Sequence, residues 1–473
     1  MKYISTRGQS PAVSSIRALL NGIAPDGGLY VPERTVPMQP GSDYADTMLR
    51  LLKQFFDEIP EARLAEFVRR SVATFRSPEA VPLVGCGNGL YFLELFHGQT
   101  FAFKDVALSM LPHLLQYAAE QEGVKRVCIL TATSGDTGSA AMNGFAGVKG
   151  TNVLVFYPAS GISEIQQRQM VCCPANNVTA CALEGNFDDA QAGVKRAFAD
   201  ATLRARAEQA GCLISSANSI NIGRLIPQIC YYLETARKLG QPFDIVVPTG
   251  NFGNILAAYY ARELGAPIER LTVASNANRV VCDFINTGVY DARREFTVTN
   301  SPSMDILVSS NIERLLWILT EGDAAAVRAM ETSLRDTGTF TLPEDAFTRM
   351  HERFAAGWAS PEETEAAIRE IKEIYGYTAD PHTAIGYKVS KDLPPTGRPT
   401  VIAATAAPAK FPLTMVHALL GKTCEDVRSA MALLGGATPE DRIASNLLNA
   451  PIRCTDSTTC DGITETVIRT FGL

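Results

Sequence analysis

The sequence contains no apolar run long enough to cross a bilayer, and its start, MKYISTRGQSP, has no stretch typical of a signal peptide. It also has no long basic run: 43 lysines and arginines against 50 aspartates and glutamates give a net charge of −7. This balance argues against nucleic acid or an anionic membrane as the main partner. The eleven cysteines show neither a CxxC pair nor a Cys/His ligand spacing. We therefore expect reduced thiols in a cytoplasmic protein and no metal site.

The distribution of apolar residues is that of a large globular chain. Its 473 residues, 46% of them hydrophobic, suggest two to four domains, the first a mixed N-terminal one with a helix near 43–58. Further along, short apolar strands are predicted at 127–131, 153–157, 178–183, 243–247, 271–275 and 400–404. Helices are predicted between them at 106–121, 162–171, 187–209, 219–238, 254–264, 322–335, 343–355 and 360–375. This alternation predicts an α/β fold with a mostly parallel sheet covered by helices on both faces.

One lysine stands in an unusual setting. The segment FHGQTFAFKD, residues 96–105, places Lys104 directly behind Phe101, Ala102 and Phe103. A lysine held among apolar groups has a lowered pKa, and its neutral amine can attack a carbonyl to form a Schiff base. A surface lysine at a helix N-terminus is the alternative, and this segment alone does not decide between them.

The loop TGNFGN, residues 249–254, lies between a predicted strand and a predicted helix. Gly250 and Gly253 permit backbone turns that side chains would block. Several N–H groups could then converge at a helix N-terminus, an arrangement that favours a phosphate. An ordinary strand–helix turn with two glycines is the alternative.

The segment 420–423, LGKT, resembles the end of a Walker loop, but Val416 stands where the first glycine should be, so we exclude nucleotide binding there.

A second polar loop, TATSGDTG at residues 131–138, also follows a predicted strand. Its amides and hydroxyls could hold a carboxylate, or it could be a capped helix start with Asp136 or Thr137 as the N-cap. Open α/β sheets bind ligands at the carboxyl ends of their strands, where both loops would lie. An amine, a phosphate site and a carboxylate site together suit pyridoxal phosphate acting on an amino acid.

Five ordered motifs closely resemble those of the threonine synthase family: HGQTFAFKD, TATSGDTGSA, NSINIGRLIPQICYY, VPTGNFGN and ATAAPAKF. The segments STRG and GIAPDGGLYVPE near the start are similar to that family too, and the resemblance extends from residue 2 to about 413. It implies a fold-type-II, tryptophan synthase β-like enzyme of mostly parallel sheets with an extra N-terminal domain. The implied domains are residues 1–90 and a catalytic region over 91–473, whose small subdomain covers roughly 106–220.

The resemblance also implies site residues. Lys104 would form the covalent link to pyridoxal phosphate and move protons, and Thr405 would face the pyridine nitrogen. The cofactor phosphate would be held by Gly250, Asn251, Phe252, Gly253 and Asn254. The substrate carboxylate and the cofactor rim would be held by Ser134, Gly135, Asp136, Thr137 and Gly138. The candidates for a substrate phosphate are Ser219, Asn221 and Arg224.

Several neighbouring residues have two interpretations. Arg224 suits a phosphate but could equally be a helix-surface arginine. His382 could line the site, although a cap after Pro381 is favoured. Lys410 is a rival lysine, but its segment resembles the cofactor-ring segment, so we do not assign the covalent link to it.

The sequence departs from the family at three positions, where the family more often has Pro for Gln99, Phe for Val106 and His for Ala407. The first two flank Lys104 and should not alter its chemistry, whereas Ala407 could change hydrogen bonding near the ring.

The implied activity is conversion of O-phosphohomoserine and water to threonine and phosphate, by a monomer or homodimer with a small-molecule substrate. A related lyase that eliminates from serine, threonine or a phosphorylated derivative is one alternative. A non-catalytic sensor of the cofactor or of a metabolite is another, which the retained lysine and loops disfavour.

Overall fold

The architecture is described from a computed structural model, which describes residues 1–159, 162–185 and 187–473. The strands are β1 (Lys2–Ser5), β2 (Val13–Ser14), β3 (Tyr30–Pro32), β4 (Leu83–Gly87), β5 (Leu90–Glu94), β6 (Arg126–Ala132), β7 (Thr151–Pro158), β8 (Val178–Leu183), β9 (Cys212–Ser215), β10 (Phe243–Pro248), β11 (Ile268–Ser275), β12 (Val289–Asp291), β13 (Thr339–Thr341), β14 (Phe354–Trp358), β15 (Thr400–Ala404) and β16 (Asp456–Thr458).

The helices connect and cover these strands. They are α1 (Ser15–Asn21), α2 (Tyr44–Phe55), α3 (Glu61–Val72), α4 (Lys104–Leu108), α5 (Leu111–Gln121), α6 (Asp136–Phe145), α7 (Glu164–Val171), α8 (Phe187–Ala199), α9 (Ala201–Gln209), α10 (Ile222–Leu239), α11 (Gly253–Glu263), α12 (Val280–Thr287), α13 (Ile312–Leu319), α14 (Ala324–Thr337), α15 (Glu344–His351), α16 (Pro361–Tyr375), α17 (Pro381–Asp392), α18 (Pro412–Leu420), α19 (Val427–Leu434), α20 (Pro439–Asn449) and α21 (Ile463–Phe471). Within the described ranges, none of them has both the length and the apolar composition that crossing a bilayer requires.

Two largely parallel sheets confirm the predicted α/β class. The larger has the order β14-β11-β10-β15-β5-β4, in which only β4 pairs antiparallel among the described strands. The smaller has the order β16-β8-β7-β6-β9 and is parallel throughout the described residues. An antiparallel sheet, β2-β1-β3, lies in the N-terminal region.

Most predicted elements are confirmed, and two of the predicted helices are each divided. The helix predicted over 106–121 is split into α4 and α5 because Pro112, in the first turn of α5, has no N–H to continue the hydrogen-bond ladder. The helix predicted over 187–209 is split because the Asp200 carboxylate accepts from the N–H groups of Thr202 and Leu203, which starts α9 afresh. The end of the helix predicted over 343–355 is wrong, since residues 354–358 form β14 at the sheet edge.

The topology brings the key segments together. β10, β15 and β5 are adjacent parallel strands, so the loop 249–252, Thr405 and the turn before α4 all follow their carboxyl ends. The loop 133–135 follows β6 of the smaller sheet. Ligands bind on this side of parallel sheets, and the fold therefore places one candidate site between the two sheets.

The Lys104 turn depends on a glycine at position 98. The Cβ of an alanine there would lie 2.2 Å from the Asp105 Cβ, so the turn would have to shift. We expect Gly98→Ala to lower the free energy of unfolding by about 1–3 kcal/mol, the usual cost of overpacking. Urea unfolding measures this change. The control Gly85→Ala, whose Cβ meets Tyr91 at 3.3 Å, should cost less than about 1 kcal/mol; equal losses would contradict the role of Gly98.

Candidate active site

One cavity collects most of the residues that the sequence singled out. It is lined by Lys104 and Thr405, by residues 250–254, and by Asp136 and Thr137 from the smaller sheet. Ser219 and Arg224, at the start of α10, complete this side of the cavity. The lysine, the glycine loop and the second polar loop therefore face one cavity, although they are up to 150 residues apart along the chain (104 to 254).

The turn that presents Lys104 is built from buried backbone contacts. The Phe103 N–H donates to the Thr405 carbonyl at 2.9 Å, and the Ala407 N–H donates to the Phe101 carbonyl at 3.0 Å. Phe101 adopts a left-handed conformation with φ +62°, which is costly for an aromatic residue and is held here by complete burial of its ring. These contacts fasten the lysine to the end of β15. Ala407 contributes its backbone N–H here, whereas its methyl group offers no hydrogen bond.

The Lys104 ammonium is nearly buried and lies beside a carboxylate. Its Nζ is 3.2 Å from Oδ2 of Asp136, and the lysine side chain is only 13% exposed. Burial lowers the pKa of Lys104; the Asp136 charge opposes this, while Lys410 and Arg224 lower the pKa further. A lowered pKa increases the fraction of neutral amine near neutral pH, which is the form that attacks a carbonyl.

Asp136 accepts from donors on every side. Its Oδ1 lies 2.6 Å from Nζ of Lys410 and accepts from Gln166 Nε2 at 2.8 Å, while its Oδ2 also accepts from the Ser303 hydroxyl at 2.8 Å. Burial would raise the pKa of Asp136, but the two lysines hold it well below its usual value. The side chain is therefore a fixed anion, which is unsuited to bind another carboxylate. Binding of a carboxylate by this loop would have to use its backbone N–H groups and Thr137.

The second polar loop starts its helix without a side-chain cap. The N-cap of α6 is Gly135, at φ +134°, so the alternative that Asp136 or Thr137 caps the helix is wrong. The Thr133 hydroxyl accepts from the N–H groups of Gly135 and Gly138 instead, at 3.0 and 2.9 Å. Ser134, Gly135 and Gly138 support the loop but do not line the cavity.

The glycine loop ends in an open helix N-terminus. Phe252 at the N-cap of α11 is left-handed, with φ +61°, and offers no capping side chain. The first N–H groups of a helix have no partner within it, and here they adjoin the cavity. Asn254 accepts from the Tyr231 and Tyr232 hydroxyls at 2.6 Å each, and its buried Nδ2 has no hydrogen-bond partner in the described structure. These donors suit an anion such as a phosphate.

The three residues predicted for a substrate phosphate differ in placement. Arg224 is 2% exposed rather than on a helix surface, and its Nε has no hydrogen-bond partner among the described residues. Burial lowers its pKa to about 10, so the guanidinium stays charged at neutral pH. Ser219 lines the cavity beside it. Asn221 does not line it: its side chain caps α10 through the Gly223 N–H and donates to the Leu19 carbonyl at 2.9 Å.

Sequence reasoning missed or undervalued three residues at the site. His382 lines the cavity, and the cap of α17 is Asp380, whose Oδ2 lies 2.6 Å from His382 Nδ1; the preference for a capping histidine is wrong. His382 Nε2 accepts from the Ser303 N–H at 3.2 Å, which places Ser303 at the cavity. Lys410 touches Asp136. The sequence signal for Lys410 was its place in the ATAAPAKF motif, whereas Ser303 had no such signal.

Comparison with known proteins gives concordant matches. Residues 2–72 match the family described as the threonine synthase N terminus, and residues 73–402 match the family of pyridoxal-phosphate-dependent enzymes. A threonine synthase from Pseudomonas aeruginosa is 38% identical over 434 residues, covering 89% of this chain and 91% of that protein. Human threonine synthase-like 1 is 36% identical over 446 residues, but the chain covers only 60% of its length.

A solved structure is similar to this chain over nearly its whole length. The crystal structure of pyridoxal-phosphate-bound threonine synthase from Brucella melitensis aligns with a TM-score of 0.90 and 37% identity, covering 99% of both chains.

The setting of Lys104 leads to a direct prediction. Because burial depresses its pKa, Lys104 should be acetylated by trace acetic anhydride at a lower pH than an ordinary surface lysine. Peptide mass spectrometry across a pH series gives the midpoint for each lysine. We expect the midpoint of Lys104 to lie below that of Lys53, whose side chain is 46% exposed. Coincident midpoints would contradict the lowered pKa.

Proposed function

This chain belongs to the threonine synthase family of pyridoxal-phosphate-dependent enzymes, and on that premise we propose that it converts O-phospho-L-homoserine and water to L-threonine and phosphate. The observation that best supports this reaction is that a buried lysine and an uncapped helix N-terminus line the same cavity. The first provides an amine for carbonyl chemistry, and the second provides N–H groups for a phosphate.

The residues present fit pyridoxal phosphate as the cofactor. Its phosphate would be held by the N–H groups of residues 250–254, next to the unpartnered Nδ2 of Asn254. Lys104 would hold its aldehyde carbon, and the Thr405 hydroxyl would face its ring nitrogen. When bound, the cofactor supplies an electron sink for the charge that develops on the substrate. A neutral hydroxyl partner leaves the ring nitrogen less protonated than a carboxylate would.

The reaction requires several proton transfers, which we assign to Lys104. A proton leaves the α carbon of the substrate, another leaves the β carbon, and phosphate departs from the γ carbon. A proton then returns to the γ carbon, water adds its oxygen to the β carbon, and the α carbon regains a proton, which gives threonine. A lysine has a long, flexible side chain, so one Nζ can reach successive carbons. Asp136 orients that Nζ at 3.2 Å.

The substrate's own phosphate needs a second anion site. We assign it to Arg224 and Ser219, which line the cavity on the side of α10. The unpartnered Nε of Arg224 supports this choice, because a buried donor without an acceptor is costly unless a ligand satisfies it. Thr137 and the N–H groups of its loop are left for the substrate carboxylate.

We also propose the division into an N-terminal domain, residues 1–90, and a catalytic region, 91–473, with a small subdomain near 106–220. Two strands cross these boundaries: β4, from the N-terminal region, joins the larger sheet, and β16, near the C-terminus, joins the smaller sheet.

A cytoplasmic location is proposed because the eleven cysteines are unpaired in the structure. A monomer or a homodimer is proposed as the active form, which analytical ultracentrifugation would distinguish.

The activity is tested by a product assay with O-phosphohomoserine. We expect the purified protein to release threonine and phosphate in equal amounts, and formation of 2-oxobutyrate and phosphate without threonine would indicate the alternative lyase. Lys104→Ala removes the amine and should abolish turnover, with a loss of more than about 10³-fold in kcat. Appreciable threonine formation by this variant would contradict the role of Lys104.

Arg224 gives a prediction about the substrate phosphate. Removing a charged hydrogen-bond donor costs about 1.5–3 kcal/mol, so Arg224→Gln should raise KM for O-phosphohomoserine about 10- to 100-fold. Steady-state kinetics measure this effect, and titration with pyridoxal phosphate provides the control. Cofactor affinity should stay near that of the wild type. An equal loss of cofactor affinity would place Arg224 in the cofactor site instead.

A further inference from the structure

Lys410 is a second lysine at the site, and it is fully buried. Its Nζ lies 2.6 Å from Oδ1 of Asp136 and donates to the Thr100 carbonyl at 2.8 Å. A buried ammonium is costly unless it is paired and hydrogen-bonded, and both conditions are met here. Nothing in the reaction described above uses this lysine.

The pairing of charges around Asp136 explains what Lys410 could do. Asp136 is 4% exposed, and a buried carboxylate requires at least one cation close by. Two lysines are within reach, Lys410 at 2.6 Å and Lys104 at 3.2 Å. If Lys104 were the only one, its deprotonation would leave a buried anion without a counter-ion. With Lys410 present, Lys104 can become neutral while the carboxylate remains paired.

We propose that Lys410 is a positioning residue that serves as the permanent counter-ion of Asp136, which allows Lys104 to give up its proton inside the cavity. The inference rests on the proposed function of Lys104 as the reacting amine. Lys410 itself does not touch the cavity in the described structure, and we assign it no bond to the cofactor.

The other charged groups around the pair are accounted for. Arg224 adds a positive charge that lowers the pKa of Lys104, in the same direction as Lys410. Asp105 lies near Lys410, and its carboxylate accepts from the Thr100 N–H and hydroxyl at 2.8 and 2.6 Å. Asp380 is paired with His382 on another wall of the cavity. None of these groups contacts the Asp136 carboxylate among the described hydrogen bonds and ion pairs, so its nearest counter-ions are the two lysines.

The test measures the proton equilibrium of Lys104 in the full-length protein after removal of the cofactor. Trace acetylation of the Lys104 peptide is followed across a pH series in the wild type, Lys410→Met, Lys410→Gln, Lys410→Arg and the double variant Lys410→Met/Asp136→Asn. Lys410→Gln keeps a donor for the Thr100 carbonyl and serves if Lys410→Met does not fold. Thermal unfolding establishes which variants are folded.

We expect the acetylation midpoint of Lys104 to rise by at least about one pH unit in Lys410→Met and Lys410→Gln, about a tenfold slower reaction near neutral pH. Lys410→Arg keeps the charge and should retain the wild-type midpoint. The double variant removes the carboxylate together with its counter-ion and should restore a low midpoint.

Two outcomes would overturn the proposal: an unchanged midpoint in a folded neutral variant, or an equal rise in Lys410→Arg. A separate arm adds pyridoxal phosphate to each protein and traps the adduct with borohydride. If the wild type shows no modified Lys104 peptide, the proposed function of Lys104 fails. If borohydride traps the adduct on Lys104 of the wild type, but Lys410→Met and Lys410→Gln keep the wild-type acetylation midpoint, only the proposed role of Lys410 fails.

Discussion

The pairing of one buried carboxylate with two lysines is the interaction on which the site depends. Asp136 starts α6, which follows β6 of the smaller sheet, whereas Lys104 and Lys410 follow β5 and β15 of the larger sheet. The ion pairs therefore connect segments that follow the two sheets, at 3.2 and 2.6 Å. Because charges interact strongly where water is largely excluded, this arrangement both fixes the geometry and controls the protonation of the reacting amine.

The remaining features of the cavity follow from parallel-sheet topology. Three adjacent strands end at one edge, so a lysine turn, a hydroxyl and a phosphate loop become neighbours without any element having to bend towards the site. Two aromatic residues with positive φ, Phe101 and Phe252, make the sharp turns there, and both are almost fully buried. Packing holds this backbone strain in place, which is how a site can keep N–H groups pointed at a ligand.

Local patterns accounted for much of the fold. The strand Phe243–Pro248 is apolar except for Asp244, stands between turns, and was predicted nearly to its ends. The helix over 187–209 was predicted as one because its composition is helical throughout, whereas the cap at Asp200 divides it. The edge strand Phe354–Trp358 was missed because FAAGW lacks the β-branched residues by which strands are recognised, and its strand geometry comes from pairing with β11.

For the site, the sequence by itself determined the family, the reacting lysine and the two loops, since each is a contiguous motif whose chemistry depends on residue type and local order. Only the tertiary structure decided which polar residues face the cavity. It assigned Asn221 to a helix cap, buried Arg224 with a free Nε, and placed Lys410 against Asp136, 274 positions earlier in the sequence (410 to 136). The physical reason is that desolvation and ion pairing depend on what surrounds a side chain in space, and for these residues the surroundings come from distant segments.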